Sequence, residues 1–309
     1  MKKLNITWDG INDPTGYLFS FAKSLSCAVK NSPWHEKADD IIATSGFAFR
    51  MWVAAGLCPS ATSVWSFDSQ KPWVESGGLM CEYVGRYWGQ DDIEEEKRLE
   101  AIAICKKSID SGIPVISWDI GVPEWGLITG YDDNAQVFAV LAVNSEGEMP
   151  YASLGKRELP LLSVLAITGA SDKPQKDIFA DTIKLAVEHL QGNEWCDNTK
   201  GIESYSALIA YFEAEFNPDI SWNMEYYLGT FGALKYFAWK YFDKAGQEQL
   251  AGLYKSVFDA WQEAFQIKIN EDISLADVRG KIVSLLTLAC ENEKQAIEIM
   301  KLMLEPHTA

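Results

Sequence analysis

Apolar residues change their period near the middle of this chain, from strand-like runs to a long series of helical stripes. Residues 113–120, 125–131, 136–143 and 162–168 are short runs rich in Val, Ile, Leu and Trp, bounded by Gly, Pro, Asp and Asn. Such runs predict strands. Asp132-Asp133-Asn134 joins the second to the third with residues that tolerate left-handed turn geometry, so those two are expected to pair as an antiparallel hairpin. Ahead of them, 16–30 carries a broad apolar stripe (Phe19, Ala22, Leu25, Cys27, Ala28, Val29) that Asn31-Ser32-Pro33 stops. A second helix is predicted over 93–111. The acids Asp91, Asp92, Glu94, Glu95 and Glu96 suit its positive end, and Gly112 suits the far end. Helix early and antiparallel sheet late is an α+β plan, not an alternating βαβ one.

Gly169-Ala170-Ser171-Asp172-Lys173-Pro174 breaks the composition and sets the expected boundary between a first domain, 1–168, and a second, 171–309. Beyond it the pattern is helical. Ile183, Ala186, Val187 and Leu190 lie near one face of a first helix, Tyr205, Leu208 and Phe212 follow in a second, and 226–242 is an aromatic-rich third. Leu253, Val257, Trp261 and Phe265 mark a fourth, and 275–290 and 294–304 read as two more. Short polar breaks between them predict an antiparallel helical bundle.

Charge narrows the partners. The 309 residues carry 27 basic and 44 acidic side chains, a formal net charge of −17. Phosphate contacts need clustered Lys and Arg, so this balance argues against nucleic acid and against anionic lipid. Met1-Lys2-Lys3 is followed by polar Asn5, Thr7 and Asp9, where a signal peptide would need an apolar run. With scattered cysteines (Cys27, Cys58, Cys81, Cys105, Cys196, Cys290) and no CxxC pair, the expectation is reduced thiols in a cytoplasmic protein that spans no membrane. Only three histidines occur (His35, His189, His307), and the 34–40 cluster offers one imidazole among acids, so no metal and no cofactor are expected.

P-loop, dinucleotide, GxSxG and HExxH motifs are absent from the sequence. What remains is an order of elements: a helix bearing Ser24 and Cys27, then a strand ending Gly130-Tyr131-Asp132, then a hairpin and a strand ending at Asn144. In that order the first half resembles papain-like cysteine peptidase folds, among them the bacteriocin-leader peptidases. Ser24-Leu25-Ser26-Cys27-Ala28-Val29 and Ser45-Gly46-Phe47-Ala48-Phe49-Arg50 make it more similar still to the BtrH-type N-terminal domains of butirosin biosynthesis, over roughly residues 10–168. The resemblance implies a papain-like α+β domain performing acyl transfer or amide chemistry through a thioester. It places the nucleophile at Ser24 or Cys27, the base at Glu124 and the third member at Asn144.

Glu124 stands where that family has histidine. An ionised carboxylate raises a neighbouring thiol's pKa instead of stabilising its thiolate, so Glu124 could act as base for Cys27 only if burial raised its own pKa, and a standard cysteine–histidine dyad is not expected. Each candidate also has a bland role available: Cys27 as a small core residue, Ser24 as an ordinary helix residue, Glu124 as a strand-start acid, Asn144 as a turn former. Trp118 and Trp125 flank Gly121-Val122-Pro123, where the family cleft would lie, and with Tyr131 they are the expected ligand contacts, unless they are core aromatics. Three functions follow: an acyltransferase or amide hydrolase on a small or peptide-like substrate, an inactive binder of such a ligand, or an interaction module using the helical half.

Overall fold

The computed structural model describes residues 1–63, 65–157, 159–195 and 198–305; Cys196 and His307 lie outside them. The architecture is mixed α+β, with an antiparallel sheet in the middle of the chain and a helical C-terminal region. Two compact units form. Unit 1 takes residues 1–12, 20–41 and 66–174, and unit 2 takes 13–19, 42–65 and 175–309. One junction, after Pro174, falls at the composition break in the sequence. The stretches 13–19 and 42–65, read within the first domain, pack with the second unit instead.

Unit 1 is built on a seven-stranded sheet. Its strands are β1 (Lys2–Lys3), β2 (Leu79–Arg86), β3 (Val115–Ser117), β4 (Gly126–Asp132), β5 (Val137–Leu141), β6 (Glu146–Pro150) and β7 (Leu162–Ala170). The spatial order is β2-β7-β3-β4-β5-β6, with β1 paired to the end of β4, and every pairing is antiparallel. The expected hairpin forms in the register Tyr131↔Phe138 and Asp132↔Val137. Strands β2 and β6 carry little sequence signal. β6 is an edge strand in which only Met149 is buried, and β2 is interrupted by Gly85, whose side-chain space the Tyr83 ring fills.

Helix α1 (Ser20–Lys30), α2 (Gln70–Ser76) and α3 (Glu94–Asp110) complete the unit. Side chains alternate across a strand, and the alternation divides this core into two layers. Val84, Val115, Ile128, Phe138, Val140 and Val164 face α3, where Ala101, Ile102 and Cys105 meet them. Trp125, Leu127 and Ile116 point to the other face, where α1 packs on β3 and β4 and the Phe21 ring lies 4.9 Å from Trp125. α1 starts at Ser20, four residues later than its apolar stripe suggests, and is buried on nearly every side; only Lys23 and Lys30 reach solvent. α3 begins in its acidic run and ends at Gly112, whose φ of +84° is the left-handed cap that glycine adopts at least cost.

Unit 2 contains α4 (Gln175–Leu190), α5 (Ser204–Glu213), α6 (Ser221–Lys244), α7 (Glu248–Asn270) and α8 (Ala276–Leu304), with a two-residue ladder pairing Trp52–Val53 to Thr199–Lys200. Its core is drawn from Tyr205, Leu208, Tyr227, Leu228, Trp261, Ile282 and Leu286, all inaccessible. The break expected between 290 and 294 does not occur. α8 runs straight through Glu291-Asn292-Glu293, because Glu293 is fully buried and bonded rather than solvated. Lys235 Nζ donates to its Oε1 at 2.6 Å and Tyr205 Oη to its Oε2 at 2.8 Å.

Candidate functional site

The geometry that bears on chemistry gathers at the first residue of α1. Ser20 Oγ donates a hydrogen bond to Glu124 Oε2, and the Trp125 amide approaches the same Oγ at 3.4 Å. Ser20 is 7 % exposed, so this hydroxyl sits at a nearly dry helix N-terminus, where first-turn amides lend partial positive charge. A hydroxyl donating into a carboxylate there can lose its proton to that carboxylate and place the resulting negative charge at the helix end.

Glu124 is held by a braced loop. Between β3 and β4 the chain turns at Asp119 (φ +59°) and Gly121 (φ +80°), and the Ile120 amide donates to the Glu124 carbonyl at 3.1 Å. A methyl group at Gly121 would stand 2.7 Å from Ala142 Cβ, so the close approach of the loop to that residue requires glycine. Arg157 clamps the loop from outside, donating to the carbonyls of Gly121 (2.9 Å) and Asp119 (3.3 Å).

The residues expected from the sequence distribute differently. Of the four candidates for chemistry, Glu124 alone takes part in this contact. Ser24 is completely buried one turn along α1, and its Oγ has no hydrogen-bond partner among the described residues. Cys27 is buried seven residues, or about 10 Å of helix rise, from Ser20. Its thiol donates to the Thr7 carbonyl at 3.4 Å, and burial pushes its pKa up to about 11. Asn144 is exposed in the turn between β5 and β6. Trp125 is inaccessible and Trp118 4 % exposed; their rings meet at 5.2 Å and both pack on Phe67, so they are core aromatics rather than a ligand-facing wall. Tyr131 is half-buried at the outer end of β4, where its hydroxyl donates to Asp110 Oδ1 at 2.9 Å.

Gly130-Tyr131-Asp132 shapes the sheet. A side chain at Gly130 would run into the backbone of Lys2 and Lys3, which pair with β4 there. Asp132 Oδ1 accepts from the amides of Asn134 and Ala135 and so closes the hairpin turn.

Sequence reasoning missed Ser20. Starting the helix at 16 left this serine inside its first turns, whereas α1 begins at Ser20 and sets its hydroxyl at the helix end. The described cysteines carry no disulfide, and burial raises the thiols of Cys27, Cys81 and Cys105 alike. His35 is exposed in a short turn, and His189 lies in unit 2 with Nδ1 3.4 Å from Glu194 Oε1. Among the described residues no group of three or more His, Cys, Asp or Glu is placed to hold a metal ion, and no helix is long and apolar enough to cross a membrane. In comparison with known proteins, no family model and no curated protein matches the chain.

Proposed function

We propose that unit 1 is a papain-like domain of the BtrH type whose two reacting positions are held by Ser20 and Glu124, and that it performs acyl transfer or amide hydrolysis on a small or peptide-like substrate. The observation that carries this is the hydrogen bond from Ser20 Oγ to the Glu124 carboxylate at the start of α1. The order of elements supports this reading: a hydroxyl at the helix start, and a carboxylate just ahead of the strand that ends Gly130-Tyr131-Asp132. Ser20 Oγ attacks the acyl carbon while its proton passes to Glu124. Collapse of the tetrahedral species breaks the bond to the leaving amine or thiol, which takes that proton and departs. Water or an acceptor amine then releases the acyl group from Oγ, with Glu124 again as base. Helix-end amides offset the charge of the tetrahedral oxygen.

The full burial of Cys27 and the carboxylate that stands where the family has histidine favour a second reading, a papain-like binder without turnover. A fluorophosphonate, which phosphonylates activated serines, separates the two. Turnover predicts an adduct on Ser20 by peptide mass spectrometry, abolished in Ser20→Ala and strongly reduced in Glu124→Gln. Wild-type protein that stays unlabelled at Ser20 excludes the serine enzyme and leaves the binder.

A further inference from the structure

A second polar site lies at the far end of β2, outside the Ser20–Glu124 contact. Arg86 ends that strand with a side chain only 2 % exposed. Nη2 is committed to the Gly155 carbonyl at 2.6 Å, but Nη1 has no hydrogen-bond partner among the described residues. The ion pair it makes is loose: Asp91 Oδ1 stands 3.9 Å away on a side chain that is 91 % exposed. A buried guanidinium nitrogen with unused donors is costly, and a well-packed protein normally pairs it.

The space in front of Arg86 is an open pocket of about 310 Å³ lined by Arg86, Asp91, Glu94, Lys156 and Pro160. That is the small end of the range for ligand sites. Glu94 is already neutralised twice, accepting from Arg98 Nε at 2.9 Å and lying 3.1 Å from Lys156 Nζ. The lining itself balances, Arg86 and Lys156 against Asp91 and Glu94, and Arg98, which pairs with Glu94 from outside the lining, leaves the cluster with one positive charge in surplus on a chain whose net charge is −17.

We infer that this pocket binds a carboxylate group, one oxygen of which takes the free Arg86 Nη1 donors in place of the distant Asp91. A surplus of a single charge matches a monoanion. A phosphate dianion would meet Asp91 and Glu94 with too few donors to offset them. The inference does not depend on turnover at Ser20. The segment 155–157 nevertheless supplies both the Gly155 carbonyl that holds Arg86 and the Arg157 clamp on the loop before Glu124.

The test is titration of the full-length, ¹⁵N-labelled protein with sodium acetate replacing sodium chloride at constant ionic strength, following the arginine Nε–H resonances. A saturable shift of the Arg86 signal in the millimolar range is expected. Asp91→Asn, a surface change that removes the competing anion, should tighten acetate severalfold. Lys156→Met, which removes the surplus positive charge and leaves Glu94 to Arg98 alone, should weaken it, and Arg86→Lys should abolish it. Inorganic phosphate in the same assay should bind more weakly than acetate. A response that never saturates, an unchanged affinity in Asp91→Asn, or tighter binding of phosphate overturns the carboxylate assignment. If Arg86→Lys fails to fold, the Asp91 and Lys156 variants decide the question.

Discussion

Single side chains here are governed by what burial does to their charge. Cys27 is a core thiol whose pKa is pushed up to about 11, while Cys58 is exposed. Iodoacetamide at neutral pH is therefore expected to modify Cys58 first and Cys27 only after denaturation, read peptide by peptide by mass spectrometry. Rapid labelling of Cys27 in the folded protein would restore a thiol mechanism. Glu194 shows the opposite balance. Burial raises its pKa, but Arg50 Nε at 2.8 Å and His189 outweigh that and bring it from 4.5 down to about 2. A carboxyl group depressed in the folded state stabilises at pH values above its unfolded pKa and loses that contribution as acid protonates it. Between about pH 5 and pH 2 this group should withdraw about 3 kcal/mol. Urea denaturation across that range should show the loss in wild type and a flatter profile in Glu194→Gln.

At the level of strands and helices, two close contacts set the arrangement. β1 reaches β4 only because position 130 has no side chain. Gly130→Ala should separate the two strands and cost about 1–3 kcal/mol in denaturant unfolding, with fast amide exchange at Leu4, whose N–H donates to Thr129. In unit 2, α6 is tied to α8 by Lys235 and Glu293, both fully buried. Removing one partner strands the other charge, so Lys235→Met should destabilise by about 3–5 kcal/mol. The joint change Lys235→Met with Glu293→Gln should recover a large part of that, and equal losses in single and double variants would refute the pairing argument. The same pair explains why a polar run that reads as a helix break is continuous helix: its acid at 293 points inward to a lysine 58 positions earlier.

Across the whole molecule, a net charge of −17 means that the compact state holds like charges close together. Raising sodium chloride from about 0.05 M to about 0.5 M shortens the screening length to a few ångströms and should raise the melting temperature. A melting temperature that fell with salt would show that the described ion pairs outweigh the repulsion.

Periodicity was enough to identify the four central apolar strands, the helices at 20–30 and 94–110 and the helical C-terminal region, because burying one face imposes a repeat that can be read along the chain; turn residues added the hairpin at Asp132-Asp133-Asn134, while the strands at 79–86 and 146–150 carried no such repeat. Asp132 was likewise legible as a hairpin residue, since its turn chemistry is local, whereas the room that Gly130 leaves for β1 is a tertiary contact. Tertiary structure decided which hydroxyl meets Glu124. Ser20, Ser24 and Cys27 are spaced four and three residues apart, so they lie near one face of the same helix and differ chiefly in height along its axis. No sequence pattern distinguishes heights along a buried helix. The choice is made by the loop that carries Glu124, which the positive φ values at Asp119 and Gly121 and the Arg157 clamp deliver to the first turn of α1 and not to the third. Trp118 and Trp125 met the same limit: a tryptophan beside a loop suits a cleft or a core equally well, and only the rings packed around it settle which.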